Sequence, residues 1–285
     1  VARRGKLWAC EPPSVGAPAT VGGTVAAGLA GPGGVARGPV RDYGLGARVL
    51  TGDGRVLKFG GEVMKNVACY DVSRLLAGSL GILGVLLEVS LKVLPVARGT
   101  RTLRRHIAAQ GALELLGAAA QRGLPLTGSF WSKGELYVRL EGCPTGLDEL
   151  VPTIGGELLD EPAAASLWHG IREQTHTYFT SARPLWRLSL PATAAGVALV
   201  PADRVAFEWN GAQAWINGVE RQTIDPITRA AGGHATLFRR GDAADGLTGE
   251  VFAPLPAPLL DLHRAVKRVF DPAGILNPGR MYAYL

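Results

Sequence analysis

The chain has 285 residues, of which 47% are hydrophobic and 19% are charged, which excludes a disordered tail and leaves room for two domains. The net charge of +6 is scattered, without a basic stripe interleaved with aromatic residues, which argues against a nucleic-acid partner. The sequence shows no apolar run as long as a membrane span and no signal-peptide stretch at its N-terminus.

The cysteines and histidines argue against a metal site. Cys10, Cys69 and Cys143 are far apart and form no C-x-x-C motif, so we expect reduced thiols rather than zinc or iron–sulfur ligands. Among the five histidines, His169 and His176 could share a face of a predicted helix, but no third ligand accompanies them. A lone histidine more often serves as a structural donor than as a ligand.

Residues 1–97 are rich in glycine and predict strands and turns around short helices. The segment "PATVGGTVAAGLAG" predicts a helix with Thr20 as its N-cap. Its free N–H groups could hold a phosphate, although a tightly packed helix that needs small residues explains the pattern equally well. A Gly-Asp-Gly turn at 52–54 predicts a hairpin, and "YDVSRLLAG" predicts a short helix that ends at Gly78.

The next segment, "GSLGILGVL", places Gly78, Gly81 and Gly84 three residues apart at the entry to a predicted strand that ends at Pro95. Glycine weakens helices and strands because it loses the most backbone freedom on folding. The run therefore needs a reason beyond local structure.

The middle of the chain, residues 98 to about 255, predicts the order β-α-β-β-α-β and then nearly repeats it. This order is typical of a ferredoxin-like unit, so we expect an antiparallel sheet backed by helices. In the second ferredoxin-like repeat, a hairpin turn is expected at Asn210-Gly211, and a helix is expected to break at Pro226. A terminal helix and the tail "DPAGILNPGRMY" follow, and the prolines and glycines of the tail indicate fixed turns.

Familiar nucleotide-binding and hydrolase motifs are absent from the sequence. It contains neither a G-x-G-x-x-G motif after a strand nor a G-x-x-x-x-G-K-[ST] loop. The segment "AGSLG" is not a nucleophile elbow, because Ala77 replaces the first glycine and a helix precedes it.

Three segments together carry a resemblance to a known family. "PATVGGTVAAGLAGP", the stretch from "VRDYGLGARVL" to "LEVSLKVLP", and "FDPAGILNPGRMY" resemble flavoproteins of the vanillyl-alcohol oxidase type, with a p-cresol methylhydroxylase-type FAD-binding domain. Within that group, "GGEVMKNVACYDVSRL", "GGHATLFR" and "NPGRMY" resemble the FAD-binding E subunits of bacterial glycolate oxidases. The resemblance covers nearly the whole chain and is strongest over residues 11–97 and 265–285.

The resemblance implies an α+β fold in three parts. These are an FAD-binding domain at 1–97, a cap domain of ferredoxin-like units at 98–255, and a C-terminal helix and tail at 256–285 that return to the FAD-binding domain. The family also has a first glycine-rich phosphate loop, and the sequence printed here begins past it. We therefore expect weak FAD binding, or none, by this chain.

The resemblance also assigns the candidate site residues. The cofactor would be FAD, with the run at 78–86 beside its ribityl chain and isoalloxazine, "PATVGG" along its adenosine diphosphate half, and the tail near the flavin edge. A side chain on Gly81 would then collide with the cofactor. The cofactor-binding candidates are Pro18, Thr20, Gly22, Gly23, Gly28, Asp42, Gly78, Gly81, Ile82, Val85, Asn277 and Arg280. The catalytic candidates are His234 and Arg239.

In the family reaction a base takes the hydroxyl proton of a 2-hydroxy acid, the hydride moves to the flavin, and a cation pair holds the carboxylate. The family's catalytic D subunit has a histidine-rich metal segment that this sequence lacks, so we expect an accessory or electron-transferring subunit. The implied partners are the D-type flavoprotein and an iron–sulfur subunit that delivers electrons to membrane quinone.

The implied location is cytoplasmic, or peripheral on the inner face of the cytoplasmic membrane through those partners alone. Two alternatives stay open. One is a self-sufficient FAD-dependent 2-hydroxy-acid dehydrogenase, and the other is a non-catalytic scaffold with an empty cofactor cleft.

Overall fold

The computed structural model describes residues 4–14, 16, 18–62, 72–191, 201–242 and 250–285. The chain divides into two compact units. The first unit comprises Val1–Gly31, Gly38–Pro95 and Pro254–Leu285, and the second comprises Pro32–Arg37 and Val96–Ala253. The predicted first domain, 1–97, thus includes Pro32–Arg37, which the structure groups with the second unit.

The described residues form short elements in the first unit and longer ones in the second. The strands are β1 (Lys6–Leu7), β2 (Gly44–Leu50), β3 (Val56–Gly60), β4 (Val85–Leu91), β5 (Leu94–Pro95), β6 (Gly99–His106), β7 (Leu126–Ser132), β8 (Glu135–Gly142), β9 (Glu157–Leu158), β10 (Leu185–Ser189), β11 (Val205–Glu208), β12 (Gln213–Asn217) and β13 (His234–Arg239). The helices are α1 (Val21–Ala27), α2 (Gly34–Arg37), α3 (Val72–Leu76), α4 (Ala109–Gln121), α5 (Pro144–Ile154), α6 (Glu161–Arg172), α7 (Arg221–Ala230) and α8 (Ala257–Phe270).

The first unit is built around an antiparallel sheet in the order β3-β2-β4, with β1 paired to β5. The predicted hairpin is confirmed, because Val49 pairs with Leu57 and Leu50 pairs with Val56. The sheet packs against α3 and α8 through a core that includes Val49, Leu76 and Phe270. That core extends to Ile82 and Leu83, so the glycine-rich run is anchored by its own apolar residues.

The second unit contains an eight-stranded antiparallel sheet in the order β13-β10-β12-β11-β7-β8-β6-β9. The strands β6 to β9 occur in the spatial order fourth-first-third-second, and β10 to β13 repeat that order. Both halves are ferredoxin-like, and they join where β7 pairs with β11. The α+β fold with repeated ferredoxin-like units is therefore confirmed. The segment between β10 and β11, residues 192–200, lies outside the described residues.

The two faces of this sheet carry separate cores because side chains alternate along a strand. On β10, Trp186 and Leu188 face the larger core, which packs against α4, α5 and α7. Leu185 faces the opposite, aromatic core, which includes Trp168 of α6 and Trp215 of β12. Arg187 alternates with Leu188, so this alternation sets it on the aromatic face.

Two expectations about helices were wrong. Pro226 lies inside α7, which continues through it to Ala230. Proline removes one hydrogen bond to the carbonyl of Gln222, but both residues are exposed, so water can satisfy that carbonyl. His169 lies on α6, whereas His176 lies beyond its end and caps a 3-10 turn by accepting a hydrogen bond from the N–H of Tyr178.

Within the described ranges, we find no helix with the length and apolar character needed to cross a membrane.

Candidate functional site

The glycine run packs against the C-terminal end of α1. The N–H of Gly78 donates to the carbonyl of Val25 at 3.0 Å, and that of Leu80 donates to Ala26 at 2.9 Å. Gly28 ends α1 in the left-handed conformation, and a Cβ atom there would lie 2.7 Å from the Cα of Gly78. Glycine at position 28 is therefore required for this close approach.

The tail contacts the same run from the other side. Asn277 donates from its Nδ2 to the carbonyl of Leu80 at 2.8 Å. Gly81 has a φ of +75°, and a Cβ on it would lie 2.7 Å from that Nδ2. The nearest obstacle to a side chain on Gly81 is thus Asn277, so a collision with protein precedes the predicted collision with a cofactor.

A buried ion pair fixes the tail and the run together. Lys267 of α8 is 7% exposed and donates to Asp271 at 2.7 Å, to the carbonyl of Ile82 at 2.8 Å and to that of Leu276 at 2.6 Å. Asp271 also accepts from the N–H groups of Ile275 and Leu276. Burial raises the pKa of Asp271, but the bonds from Lys267 and these N–H groups outweigh it and hold the pKa below its usual value.

Gly78 leaves open space at the start of the run. Its φ is +80°, and a Cβ built on it would meet no protein atom within 4 Å. Gly78 also borders a cavity of about 200 Å³ lined mostly by apolar residues, among them Ile82, Leu262 and Met281. That volume is below the roughly 300–1,000 Å³ of pockets that enclose a whole ligand, so it suits only part of a cofactor the size of FAD.

The structure says less about the other predicted cofactor contacts than about Gly78 and Gly81. Thr20 caps α1 as predicted, and its hydroxyl accepts a hydrogen bond from the N–H of Gly23 at 3.0 Å. This N–H group is one of those predicted to bind a phosphate, and the cap already uses it. Ile82 is buried in the core, and its carbonyl is taken by Lys267. The remaining candidates are exposed or half-buried, and these are Pro18, Gly22, Asp42, Val85 and Arg280.

The first unit also contains one orphaned donor. The indole Nε1 of Trp8 is buried and has no hydrogen-bond partner among the described residues. Trp8 and Ala77, the residue before the glycine run, both pack against the core that includes Ala9 and Val25. A buried donor without an acceptor costs about 1–3 kcal/mol, and a cofactor that brings an acceptor would recover that energy. The unpaired indole N–H of Trp8 and the open side of Gly78 therefore both fit a cofactor bound to the first unit.

In the second unit, the structure separates the two catalytic candidates. His234 begins β13 and Arg239 ends it, so they lie roughly 17 Å apart along the strand. Arg239 has buried Nε and Nη2 atoms with no hydrogen-bond partner among the described residues, and burial lowers its pKa. His234 instead lies near Arg187, which adds to the effect of partial burial in lowering the pKa of His234.

A hydrogen-bonded chain that we did not predict crosses the same end of the sheet. Arg187 donates from Nε to Oε1 of Gln213 at 2.8 Å. Gln213 donates from Nε2 to Oε1 of Glu208 at 3.2 Å, and Trp215 donates from Nε1 to the same oxygen at 2.6 Å. We call Arg187, Glu208, Gln213 and Trp215 the cap network.

Burial dominates the electrostatics of the cap network. Glu208 is 3% exposed, and burial raises its pKa to about 7 against the opposing effects of Trp215, Gln213 and Arg187. Burial also lowers the pKa of Arg187, although its neighbour Glu208 opposes the change. An acid that titrates near neutral pH beside a cation is unusual outside functional sites.

The turn that follows Glu208 is strained. Trp209 and Asn210 have φ values of +55° and +56°, a conformation that L-residues with bulky side chains rarely adopt. The turn is held because the N–H of Asn210 donates to the hydroxyl of Ser129 at 2.9 Å, and because Arg187 lies over the Trp209 ring at 6.0 Å. Strain of this kind clusters at functional sites.

The part of the chain that the structure describes holds no group of three or more histidine, cysteine, aspartate or glutamate residues placed to bind a metal. Cys10 is buried and Cys143 is exposed, while Cys69 lies outside the described residues.

Comparison with known sequences identifies both ends of the chain. Residues 1–60 match the family described as "FAD binding domain", and residues 255–281 match "FAD linked oxidases, C-terminal domain". The second match contains Lys267 and Asn277, which contact the glycine run, and Asp271, which pairs with Lys267.

Three relatives extend the match. The glycolate oxidase subunit GlcE of Escherichia coli (strain K12) is 45% identical over 99% of this chain and 77% of its own length. The glycolate oxidase subunit GlcD of Bacillus subtilis (strain 168) is 26% identical over 93% of this chain and 68% of its own. A D-lactate dehydrogenase of Archaeoglobus fulgidus is 31% identical over 46% of this chain and 32% of its own.

Among solved structures, alkyldihydroxyacetonephosphate synthase matches with a TM-score of 0.61 over 97% of this chain and 61% of that chain. At 14% identity, this match shows the fold alone, which is the FAD-binding fold of the vanillyl-alcohol oxidase type. The identity to GlcE over nearly the full chain is decisive for the family. This chain belongs to the FAD-linked oxidases, in the family of the glycolate oxidase subunit GlcE.

Proposed function

We propose that the chain is an FAD-binding subunit of a complex that oxidises glycolate, a 2-hydroxy acid, to glyoxylate. The proposal is supported by the 45% identity to GlcE and by the FAD-linked oxidase matches at both ends of the chain. FAD supplies the acceptor for the hydride of the acid when it is bound. The chain supplies the groups that hold the cofactor.

The open side of Gly78 is the observation that carries this proposal. The run from Gly78 to Gly81 is held on one side by α1 and on the other by Asn277 and Lys267. These contacts fix the backbone while the missing side chain of Gly78 leaves room for a ligand. Thr20, Gly22, Gly23, Gly28, Asn277 and Arg280 stay proposed as further contacts from the family resemblance.

The binding test uses a matched pair of glycines in the first unit. Gly78 and Gly54 both have left-handed backbones, at φ +80° and +83°, and a Cβ on either meets no atom within 4 Å. Asparagine tolerates this conformation better than most residues, so Gly78→Asn and Gly54→Asn should fold alike. We expect Gly78→Asn to lower FAD affinity at least about tenfold, which corresponds to about 1.4 kcal/mol, as measured by flavin fluorescence.

Gly54→Asn should keep the FAD affinity of the unmodified chain, because Gly54 lies in the β2–β3 turn and makes none of the contacts that hold Gly78 to Gly81. Equal FAD affinities in the two variants would remove the glycine run from the cofactor site. A substitution at Gly81 would be a less direct test, because a side chain there would first displace Asn277.

The place of the chain in a complex is a further part of the proposal. We infer that it acts as an accessory or electron-transferring subunit beside a D-type flavoprotein and an iron–sulfur subunit, and that it reaches the membrane only through them. The subunit names of GlcE and GlcD support an assembly of several chains. The test is glycolate-dependent dye reduction by this chain alone and with both partners.

Activity only in the full mixture supports the accessory role. Glycolate-dependent dye reduction by the isolated chain would favour the self-sufficient dehydrogenase instead. Full activity of the two partners without this chain would leave it without a role in electron transfer.

A further inference from the structure

The cap network combines a buried acid with a cation that has unused donors. Arg187 is half-buried and gives its Nε to Gln213, and within the described residues its Nη atoms have no hydrogen-bond partner. Beside it, Ser189 and His234 are exposed. The side chain of Arg187 is therefore partly exposed beside these two residues, whereas that of Glu208 is buried.

We propose that the cap network is a proton-linked site for a small monocarboxylate anion, in which Arg187 holds the anion and Glu208 takes up a proton when the anion binds. A planar guanidinium presents paired N–H donors that match a carboxylate. That the anion is a 2-hydroxy acid rests on the proposed function, whereas a small carboxylate as the ligand rests on the network alone.

The number of charges in the buried space decides whether an anion can bind. When Glu208 is ionised, it balances the charge of Arg187 through Gln213, and an incoming carboxylate would leave two negative charges near one cation. When Glu208 is protonated, Arg187 is uncompensated and attracts the anion. Because opposite charges interact strongly where water is excluded, one proton on Glu208 changes the affinity of the site.

The hydrogen bonds in the network make this proton uptake possible. Trp215 and Gln213 both donate to Oε1 of Glu208, and among the described residues Oε2 has no partner. A proton on Oε2 therefore disrupts neither bond. The neutral acid keeps the same geometry, so the switch changes charge without requiring a movement of the sheet.

The direction of the linkage follows from the neighbours of Glu208. Arg187 is the charged group within the described residues that acts on Glu208, and it favours the ionised carboxyl. An anion on Arg187 cancels that effect and raises the pKa of Glu208 above its value of about 7. Anion binding is then accompanied by proton uptake, and the affinity falls as pH rises through the neutral range.

Three other titratable groups around the sheet do not oppose this scheme. Burial keeps the pKa of Tyr178 far above neutral, and its hydroxyl donates to the carbonyl of Trp215. His176 packs edge-on against Phe130 at 5.0 Å, and burial lowers its pKa. The pKa of His234 is also lowered, so both rings are largely neutral where Glu208 titrates.

The experiment measures the binding of acetate to the full chain by calorimetry at about pH 6 and pH 8.5, where acetate is ionised. Acetate is a small carboxylate that lacks the hydroxyl group to be oxidised, so the titration reports binding alone. We expect its affinity to fall at least about fivefold between the two pH values. Titrations in buffers of different ionisation enthalpy should show proton uptake near pH 7.5, and acetamide, which is neutral, should show neither effect.

Three variants assign the effect to its residues. Glu208→Gln should bind acetate with less than about a twofold change between the two pH values, at the affinity that the unmodified chain has near pH 6. Arg187→Gln should not bind acetate at either pH. Glu157→Gln, a change on an exposed residue of β9, should behave like the unmodified chain. The indole N–H resonance of Trp215 should titrate near pH 7 in the chain with Glu208 and not in Glu208→Gln.

A pH-independent affinity for acetate in the unmodified chain would overturn the inference, as would the same pH dependence in Glu208→Gln. If Glu208→Gln does not fold, the absence of a titration at Trp215 in the unmodified chain would overturn it as well. FAD affinity is measured separately through Gly78→Asn. Proton-linked acetate binding without flavin binding would therefore support the site while the proposed function fails, and the reverse outcome is equally distinguishable.

Discussion

The glycine run of the first unit and the cap network of the second are built from different chemical groups. The run uses backbone atoms, because glycines bring α1 and the strand entry together and leave an open side at Gly78. The cap network uses side chains, whose charged, amide and indole groups form hydrogen bonds with one another on one face of the sheet. The first arrangement suits a large ligand, and the second suits a small charged one.

The two sites also differ in what holds them in place. The run is fixed from outside by a buried ion pair and by the amide of Asn277. The cap network is fixed by its own strand register, since Arg187 pairs with Trp215 and Glu208 pairs with Gln213 across adjacent strands. A substitution far from the run in sequence, such as one at Lys267, should therefore disturb the run. The cap network should respond mainly to substitutions of its own residues.

The largest expected effect comes from Lys267→Met. This change keeps the length of the side chain but leaves Asp271, which is 2% exposed, without its cation. Breaking a buried pair typically costs about 3–5 kcal/mol, and the carbonyls of Ile82 and Leu276 lose their donor as well. We expect a loss of about 3 kcal/mol in the free energy of unfolding at pH 7, measured with urea, together with weaker FAD binding.

The matched control is Arg264→Met on the same helix. Arg264 lies 3.7 Å from Asp261, and both side chains are substantially exposed, so its loss should cost less than about 1 kcal/mol. The defect of Lys267→Met should shrink as pH falls below about 4, because Asp271 can then be buried as a neutral acid. Equal costs for the two variants would contradict the role of the buried pair.

The second effect concerns the pH dependence of stability. Because burial raises the pKa of Glu208 to about 7, the folded chain binds a proton that the unfolded chain releases near pH 4.5. Stability should therefore fall as pH rises between about 4.5 and 7, by about 3 kcal/mol from this group alone. Glu208→Gln cannot titrate there, so its urea midpoint should fall less than that of the unmodified chain over this range.

Glu157→Gln again serves as the control, since Glu157 is exposed and pairs with Arg104 at the surface. Its stability should follow the same pH profile as that of the unmodified chain. Parallel profiles for Glu208→Gln and the unmodified chain would show that Glu208 titrates as an ordinary surface acid.

Local signals in the sequence predicted most of the fold. Turn residues at Gly52-Asp53-Gly54 and Asn210-Gly211 fixed two hairpins, and the element order predicted the two ferredoxin-like units. The prediction failed at Pro226 because this residue and Gln222 are exposed, so water can satisfy the carbonyl that loses its hydrogen bond and the helix continues. Such compensation depends on which face of the helix is exposed, and that depends on the tertiary fold.

The glycine run was a sequence prediction, whereas the cap network was not. Gly78 and Gly81 are visible because glycine is costly in regular elements. Arg187 and Glu208 are single charges in the apolar strands "LWRLSL" and "VAFEWN", and the alternation that buries them was the available signal. Sequence cannot show that Gln213 bridges these charges, because they are 21 positions apart along the chain, and the order β10-β12-β11 brings them together. The roles of the predicted site residues stay predictions until binding is measured.

The smallest expected effect tests whether the tail positions the run or only covers it. Asn277 is exposed, and its side chain makes one hydrogen bond to the run, to the carbonyl of Leu80. Asn277→Ala should therefore cost about 1 kcal/mol of stability, the ordinary value for one bond. It should lower FAD affinity about fivefold, because the peptide between Leu80 and Gly81 becomes free to rotate.

The matched control is Asn217→Ala in the second unit, which also loses one bond, to the carbonyl of Tyr178, and which should leave FAD affinity unchanged. Calorimetric unfolding and flavin titration of both variants separate stability from positioning. An Asn277→Ala chain that loses stability but binds FAD as the unmodified chain does would show that the tail only covers the run.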